Sequence, residues 1–181
     1  MAELLVFYGA RPHKRFGLIW AALSPRGLWS ASFGIDELEF QAHIQDRGRA
    51  HMVRDEAKVA PALKQIAEFF AGKRKRFTLK VDWSGMTPFQ VAVRKAVMAV
   101  PYGRTASYGE IAAAVGKPLA PRAVGGVQAS NPIALVIPCH RIIASDGSLG
   151  GYGGEEGLKL KAWLIDLEAR HSTRKKRHPS L

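Results

Sequence analysis

Three short apolar runs open the chain, each broken by Gly or Pro. Leu4–Tyr8, Phe16–Leu23 and Gly27–Phe33 are aromatic-rich, and they predict the strands of an antiparallel meander. Ser24-Pro25-Arg26-Gly27 supplies a turn between the last two. The period then changes. Over Asp36–Asp46, Leu38, Gln41, Ala42 and Gln45 recur at helical spacing. Over Asp55–Ala71, Val59, Leu63, Ile66, Ala67 and Phe70 make a clearer amphipathic stripe, which Gly72 ends. Phe77–Val81 reads as a returning strand. Around Asp82-Trp83-Ser84-Gly85 the character changes, and a domain boundary is expected there. Thr87 as N-cap and Pro88 at the first helical position predict a helix over Thr87–Val100, closed by Pro101-Tyr102-Gly103. Gly157–Arg170 is amphipathic, with Leu160, Trp163, Leu164 and Leu167 on its apolar face and Glu168 beside them.

Between these lies a pair of short helices. Ser107-Tyr108-Gly109-Glu110 is a capping box that opens a helix through Ile111–Val115, and Gly116 with Pro118 stops it. A second helix runs from Pro121 to about Ala129, so the pair predicts a helix-turn-helix. That second helix is unusually thin: Arg122, Ala123, Val124, Gly125, Gly126, Val127, Gln128, Ala129. Each Gly costs roughly 1 kcal/mol of helix stability relative to Ala. An ordinary helix is about 10–12 Å across, and the minor groove of B-DNA is about 6 Å wide. A helix stripped to small residues suits either a widened groove or close packing on a neighbour, and the sequence leaves both open.

The pattern predicts an α+β protein. Residues 1–82 form an N-terminal antiparallel sheet with helices. Residues 83–170 form a mostly helical domain carrying the helix-turn-helix. Residues 171–181 form a basic tail that lacks a core stripe and is expected to be disordered. Charge adds a partner class. The 181 residues carry a formal net charge of +12, which suggests an anionic partner such as nucleic acid. Much of the excess sits in two short runs, Lys73–Arg76 and Arg174–Arg177, where it serves salt-sensitive, nonspecific contact. No apolar run reaches the roughly 18 residues of a membrane span, and the N-terminus lacks the order of a signal peptide. A cytoplasmic protein with no membrane partner is therefore expected. The Gly147–Gly154 loop lacks the Lys-Ser/Thr ending of a phosphate loop.

The single cysteine excludes an intramolecular disulfide and any zinc site built on several thiolates, and the histidines show no metal-binding spacing. It lies in Pro138-Cys139-His140-Arg141, after an apolar run Ile133–Ile137 that reads as a buried strand. A thiolate needs a base or a positive neighbour at neutral pH, and His140 and Arg141 are candidates. Adjacent side chains of an extended chain point apart, so Cys139 and His140 meet only through a turn or a bridging water. Taken alone, the pair fits a buried structural cysteine better than a reactive one.

Taken in order, the segments resemble the O6-alkylguanine-DNA alkyltransferases. The resemblance rests on Thr87-Pro88-Phe89-Gln90, Pro101-Tyr102-Gly103, Ser107-Tyr108-Gly109-Glu110-Ile111-Ala112, Arg122-Ala123-Val124-Gly125-Gly126, Asn131-Pro132, Ile137-Pro138-Cys139-His140-Arg141-Ile142, Gly151-Tyr152-Gly153-Gly154 and Lys161-Ala162-Trp163-Leu164 with Glu168. It implies direct repair of double-stranded DNA: an O6-alkylated guanine is flipped out and its alkyl group passes irreversibly to Cys139, with O4-alkylthymine as a further substrate. His140 then matches the base that acts through a water, and Glu168 the carboxylate that orients it. Tyr108 matches the tyrosine that bonds the flipped base. Asn131 matches the asparagine that braces the site, and Arg122 the arginine that fills the vacated stack. Ala123, Gly125, Gly126 and Ala129 match the groove-facing positions of the thin helix. Ile142, Tyr152, Gly153 and Gly154 match the pocket, where main-chain groups read the guanine edge. No cofactor or metal is implied, and a monomer is expected, nucleoid-associated when on DNA. Arg94 stands where the family commonly has Trp, which predicts repacking or exposure. Ile142 replaces the usual Val. Glu155 and Glu156 suggest a loop about two residues longer than in many relatives. A lesion-binding module without transfer and a cysteine hydrolase built on Cys139, His140 and Glu168 are the alternatives.

Overall fold

The computed structural model describes residues 3–152 and 154–172. Strands β1 (Leu4–His13), β2 (Gly17–Ser24) and β3 (Gly27–Phe33) form the expected antiparallel meander. A fourth strand, β4 (Ala50–Arg54), joins the far side of β1 and runs parallel to it. The sheet is therefore mixed, in the order β3-β2-β1-β4, rather than wholly antiparallel. Helices α1 (Glu37–Gln45) and α2 (Glu56–Phe70) start at Asp36 and Asp55, whose side chains accept from the backbone N–H three residues on. The helix over 36–46 exists, but its buried residues are Phe40 and Ile44, and Leu38 is exposed. Trp20, Ala22 and Trp29 pack with Phe40 and Ile44 in one core, while the alternate residues Ile19 and Ala21 are buried on the opposite face of β2.

Two expected strands are absent. Phe77–Val81 runs beside β3 but makes a single bridge, Val81 to Leu28. Ile133–Ile137 is buried yet folds as a tight loop: Ile133 and Ala134 make isolated bridges, and Leu135 has a φ of 69°. The Ile133–Ile137 run is apolar because it is largely covered, and burial alone does not pair a strand, whereas Phe77–Val81 alternates and leaves Thr78 and Lys80 exposed.

The remaining elements are α3 (Pro88–Ala99), β5 (Ala106–Ser107), α4 (Tyr108–Ala114), α5 (Pro121–Ala129), a 3-10 turn at Cys139–Arg141, β6 (Ile142–Ile143) and α6 (Gly154–Ser172). α3 opens with a reciprocal cap: Gln90 N donates to Thr87 Oγ1 and Thr87 N to Gln90 Oε1. β5 and β6 pair in parallel. Glu155 and Glu156 belong to the first turn of α6, not to a longer loop. His171 and Ser172 end that helix, and the rest of the basic tail lies outside the described residues.

The chain divides into two compact units. One holds the residues up to Val91 together with Asn131–Ile137; the other holds Ala92–Ser130 and the residues from Pro138 onward. In the first unit, Arg47 ties the 82–85 segment to the sheet. Its guanidinium stacks 4.0 Å from the Trp29 ring and donates to the carbonyls of Trp29, Asp82 (2.8 Å) and Ser84 (2.9 Å). Asp82 is buried and accepts from Ser24 and Ser84. Gly85 turns the chain at φ 78°, where a Cβ would lie 2.6 Å from the Arg47 carbonyl oxygen. Gly17 has a similar φ of 66°, but its Cβ would meet nothing. Gly17→Ala should cost about 1–2 kcal/mol from the backbone conformation alone. Gly85→Ala should cost clearly more. Urea midpoints compare the two, and equal losses would mean that the contact with Arg47 carries no weight.

Candidate active site

Every group considered for the chemistry except Asn131 lies in the second unit. Pro138 breaks the preceding loop, and the 3-10 turn then sets Cys139, His140 and Arg141 on a tight curve, the turn that an extended chain lacked. All three are buried, His140 completely. α6 brings up Glu168, also buried, because it falls on the same face as Leu164 and Leu167.

His140 Nε2 lies 2.8 Å from Glu168 Oε1. A carboxylate only accepts, so Nε2 carries the proton and Nδ1 is the basic nitrogen. Arg141 holds the same carboxylate with Nε (3.1 Å) and a terminal nitrogen (3.0 Å), and its other terminal nitrogen donates to Val100 O at 2.7 Å. Gly103 N donates to Glu168 Oε2 at 2.8 Å. Burial alone pushes the Glu168 pKa up, but the bonds to His140 and Arg141 outweigh it and hold the group ionised, below its ordinary range. For His140 burial dominates and lowers the pKa despite Glu168, so the imidazole is neutral near pH 7.

Two phenols flank the nucleophile. Tyr152 Oη stands 3.8 Å from Cys139 Sγ. Burial first, and then Cys139, push the pKa of both Tyr152 and Tyr108 upward, so both remain donors. Tyr108 sits between two backbones stripped of side chains. A Cβ on Gly150 would lie 3.1 Å from its ring, and one on Gly125 of α5 would lie 3.9 Å away. Gly157 makes room for Tyr152 in turn, since a Cβ there would overlap the Tyr152 carbonyl at 1.4 Å.

α5 divides by face. Val124, Val127 and Gln128 are buried, Gly125 is half-buried, and Arg122, Ala123, Gly126 and Ala129 are exposed. After Pro121, the exposed positions of the second helix thus bear one guanidinium and otherwise nothing larger than a methyl group. Asn131 belongs to the first unit, where its amide donates to Ile137 O (2.8 Å) and its oxygen accepts from Ile133 N (3.1 Å). It shapes the loop that runs into Pro138. Ile142 is buried in β6, Gly154 opens α6, and Gly153 lies outside the described residues.

Sequence reasoning named Arg141 as a positive neighbour of the thiol but not as a partner of Glu168, and it missed the roles of Lys161 and Gly157. Arg141 is the main counter-charge of Glu168. Lys161 is fully buried and donates to the carbonyls of Ile142 and Leu149; its place on the Leu164 stripe of α6 was the available signal. Gly157 had none. Arg94 is repacked rather than exposed, and donates to Ser130 O at 2.8 Å. Burial lowers the pKa of both Arg94 and Lys161, while attraction to Cys139 opposes it, so both cations favour a thiolate.

The comparisons agree with one another. Residues 88–170 match the family model of the 6-O-methylguanine DNA methyltransferase DNA-binding domain. An inducible methylated-DNA–protein-cysteine methyltransferase of Bacillus subtilis (strain 168) is 45% identical over 122 residues, 67% of this chain and 66% of that one. The Mycobacterium bovis methylated-DNA–protein-cysteine methyltransferase is 45% identical over 134 residues, 74% of this chain and 79% of its own length. The crystal structure of Mycobacterium tuberculosis OGT in complex with DNA superposes with a TM-score of 0.77 at 34% identity, covering 91% of this chain and 94% of that one.

Glu168→Gln should cost about 3–5 kcal/mol of stability, because it leaves the buried Arg141 charge unpaired. A fall in the urea midpoint measures it. Acid should act in the same direction. With its folded pKa below the unfolded value of 6.5, His140 lets the unfolded chain take up a proton first. Stability is then lost as pH falls below about 6.5, and the lowered pKa of Glu168 extends the loss below 4.5. A flat stability profile between pH 7 and 4 would contradict this assignment.

Proposed function

The chain belongs to the methylated-DNA–protein-cysteine methyltransferase family, a family of DNA repair alkyltransferases, and from that premise we propose that it removes the alkyl group of O6-alkylguanine in double-stranded DNA onto Cys139. The observation that carries this reading is the His140–Glu168 bond immediately beside the cysteine.

The thiol proton passes to His140 Nδ1, through a bridging water. The sulfur attacks the alkyl carbon, the new S–C bond forms, and the C–O6 bond breaks with its electron pair on the guanine. Tyr108 donates to the departing base and helps to neutralise it. The proton held by His140 replaces the one that the base takes up. Glu168 keeps the imidazole in the correct tautomer and stabilises the imidazolium that forms between these events. The product thioether has no leaving group that water can displace, so each molecule works once.

Reaching O6 requires the base to leave the stack. The outer face of α5 suits the minor groove: Ala123, Gly126 and Ala129 permit close approach, and Arg122 enters the gap that the base vacates. Tyr108, Ile142, Tyr152, Gly153 and Gly154 form the pocket, and Asn131 positions the loop ahead of the cysteine. Residues 83–170 act as the alkyl-transfer domain, 1–82 as the domain that supports it, and 171–181 as a basic tail that adds nonspecific affinity. O4-alkylthymine presents the same bond to the same thiolate and is a second substrate. The protein works as a monomer in the cytoplasm, on the nucleoid when bound, without a cofactor.

Incubation with an equimolar duplex containing O6-methylguanine should add one methyl group to the Cys139 peptide, as read by mass spectrometry. Cys139→Ala should gain none. Wild-type binding without mass gain would favour a lesion-binding module, and repeated turnover on an ester would favour a hydrolase.

A further inference from the structure

The reaction uses nothing at the end of the first unit where the β1–β2 hairpin meets the C-terminal end of α2. The hairpin tip reads Arg11-Pro12-His13-Lys14-Arg15-Phe16, and the chain leaving α2 reads Lys73-Arg74-Lys75-Arg76. A knot of rings joins the two segments. Phe70, the last residue of α2, lies 4.6 Å from Phe16 and 5.1 Å from His13 between ring centroids, and His13 stacks on Phe16 at 5.1 Å. His13 Nδ1 accepts from Arg15 N at 3.3 Å, and the Arg15 guanidinium stands 5.9 Å from the Phe16 ring. By strand alternation Arg11 shares with Gly9 and His13 the face of β1 that α2 covers. The rings are buried or half-buried, while Arg11, Lys14, Arg15, Lys73, Lys75 and Arg76 are exposed.

The protein itself gives several of these cations no task. Arg11, Lys14 and Lys73 have no acidic partner among the described residues, whereas Glu68 holds Arg74 at 2.7 Å. They are not needed to cap α2 either. The carbonyls of Ala67, Glu68 and Phe69 already accept from the main-chain N–H groups of residues 71–74. Asp36 and Glu39 are engaged in the capping box of α1, which packs on the other face of the sheet. Like charges gathered on a rigid base repel one another, and an anion seated among them relieves that repulsion.

Resting on the reading that the protein works on double-stranded DNA, we propose that this end of the first unit is a second DNA-binding surface, which takes phosphate groups of the duplex backbone. The chemistry fits phosphates rather than bases. The rings are packed on one another, and what the surface offers outward is ammonium and guanidinium charge. Contacts of that kind hold DNA without reading sequence, and they weaken as salt rises.

Binding of an undamaged duplex is followed by fluorescence anisotropy across a potassium chloride series. Lys14→Gln with Lys73→Gln removes one cation from each segment. Arg49→Gln with Lys80→Gln removes the same charge at the opposite end of the sheet, beside the start of β4 and beside Leu28. At about 0.9 per phosphate contact, the slope of log affinity against log salt should become shallower by about 1.8 in the first pair and stay near wild type in the second. All four residues are exposed, so both variants should melt with wild type. In wild type the His13 ring resonances should move as duplex is added, because burial and then Arg11 hold the His13 pKa down and a phosphate offsets Arg11. An unchanged slope in the first pair, an equal change in both pairs, or His13 resonances that stay still overturns the proposal. Methyl transfer from an O6-methylguanine duplex judges the repair reading separately. Wild-type transfer with an unchanged slope in the first pair rejects this surface alone. A wild type that binds duplex but transfers nothing rejects the repair reading, and the slopes still decide the surface. A wild type that does not bind duplex rejects both.

Discussion

A carboxylate removed from water must find all its donors inside the protein. Glu168 finds them in the His140 imidazole, the Arg141 guanidinium and the Gly103 main chain. These partners come from two separate stretches of the second unit, so a single ionised oxygen pair on α6 draws the nucleophile turn and the segment after α3 to one point. The arrangement sets the chemistry as well as the packing. Because the carboxylate can only accept, the imidazole must present its protonated nitrogen to it and its basic nitrogen elsewhere. The bonds from His140 and Arg141 keep Glu168 ionised, and burial keeps His140 neutral.

The surroundings of the cysteine show the same economy. Two cations, Arg94 and Lys161, bond main-chain carbonyls, Arg94 also the Ser130 hydroxyl; Lys161 also lies over the Tyr108 and Tyr152 rings, and both favour the thiolate by their charge. Two tyrosines, kept protonated by burial, contribute donors. Glycines at 125, 150 and 157 contribute space. Arg94 illustrates how a departure from a family's usual residue is absorbed. Its guanidinium takes over the carbonyl at the C-terminal end of α5, where positive charge is favoured against the helix dipole.

Much of this was legible in the chain. The capping boxes, the thin helix and the Cys139-His140 pair are local signals, and local chemistry reads directly from sequence. Ile133–Ile137 misled because a buried loop and a buried strand share a composition, and Phe77–Val81 because its strand-like alternation does not reveal that it bridges β3 at one position only. β4 went unread for the converse reason, since Ala50–Arg54 mixes His51 and Arg54 into a strand with no apolar run. Arg141 and Lys161 are charged residues in buried places, and their partners, Glu168 and two carbonyls, are fixed only by the tertiary fold. Gly157 is legible only once the path of Tyr152 is known.

The loop from Asn131 to Ile137 belongs with the sheet although it runs directly into the nucleophile. Ser30 Oγ donates to Pro132 O at 2.9 Å, and Ala31 exchanges main-chain bonds with Pro132 and Ala134. The first of these spans 102 positions of chain. Contacts of such separation form late, because a long loop must close before they repay its entropy. During synthesis the meander is complete well before its partner loop has been made. The cysteine therefore receives its final backbone course only at the end of folding, and an immature chain holds its one thiol in an unfinished setting.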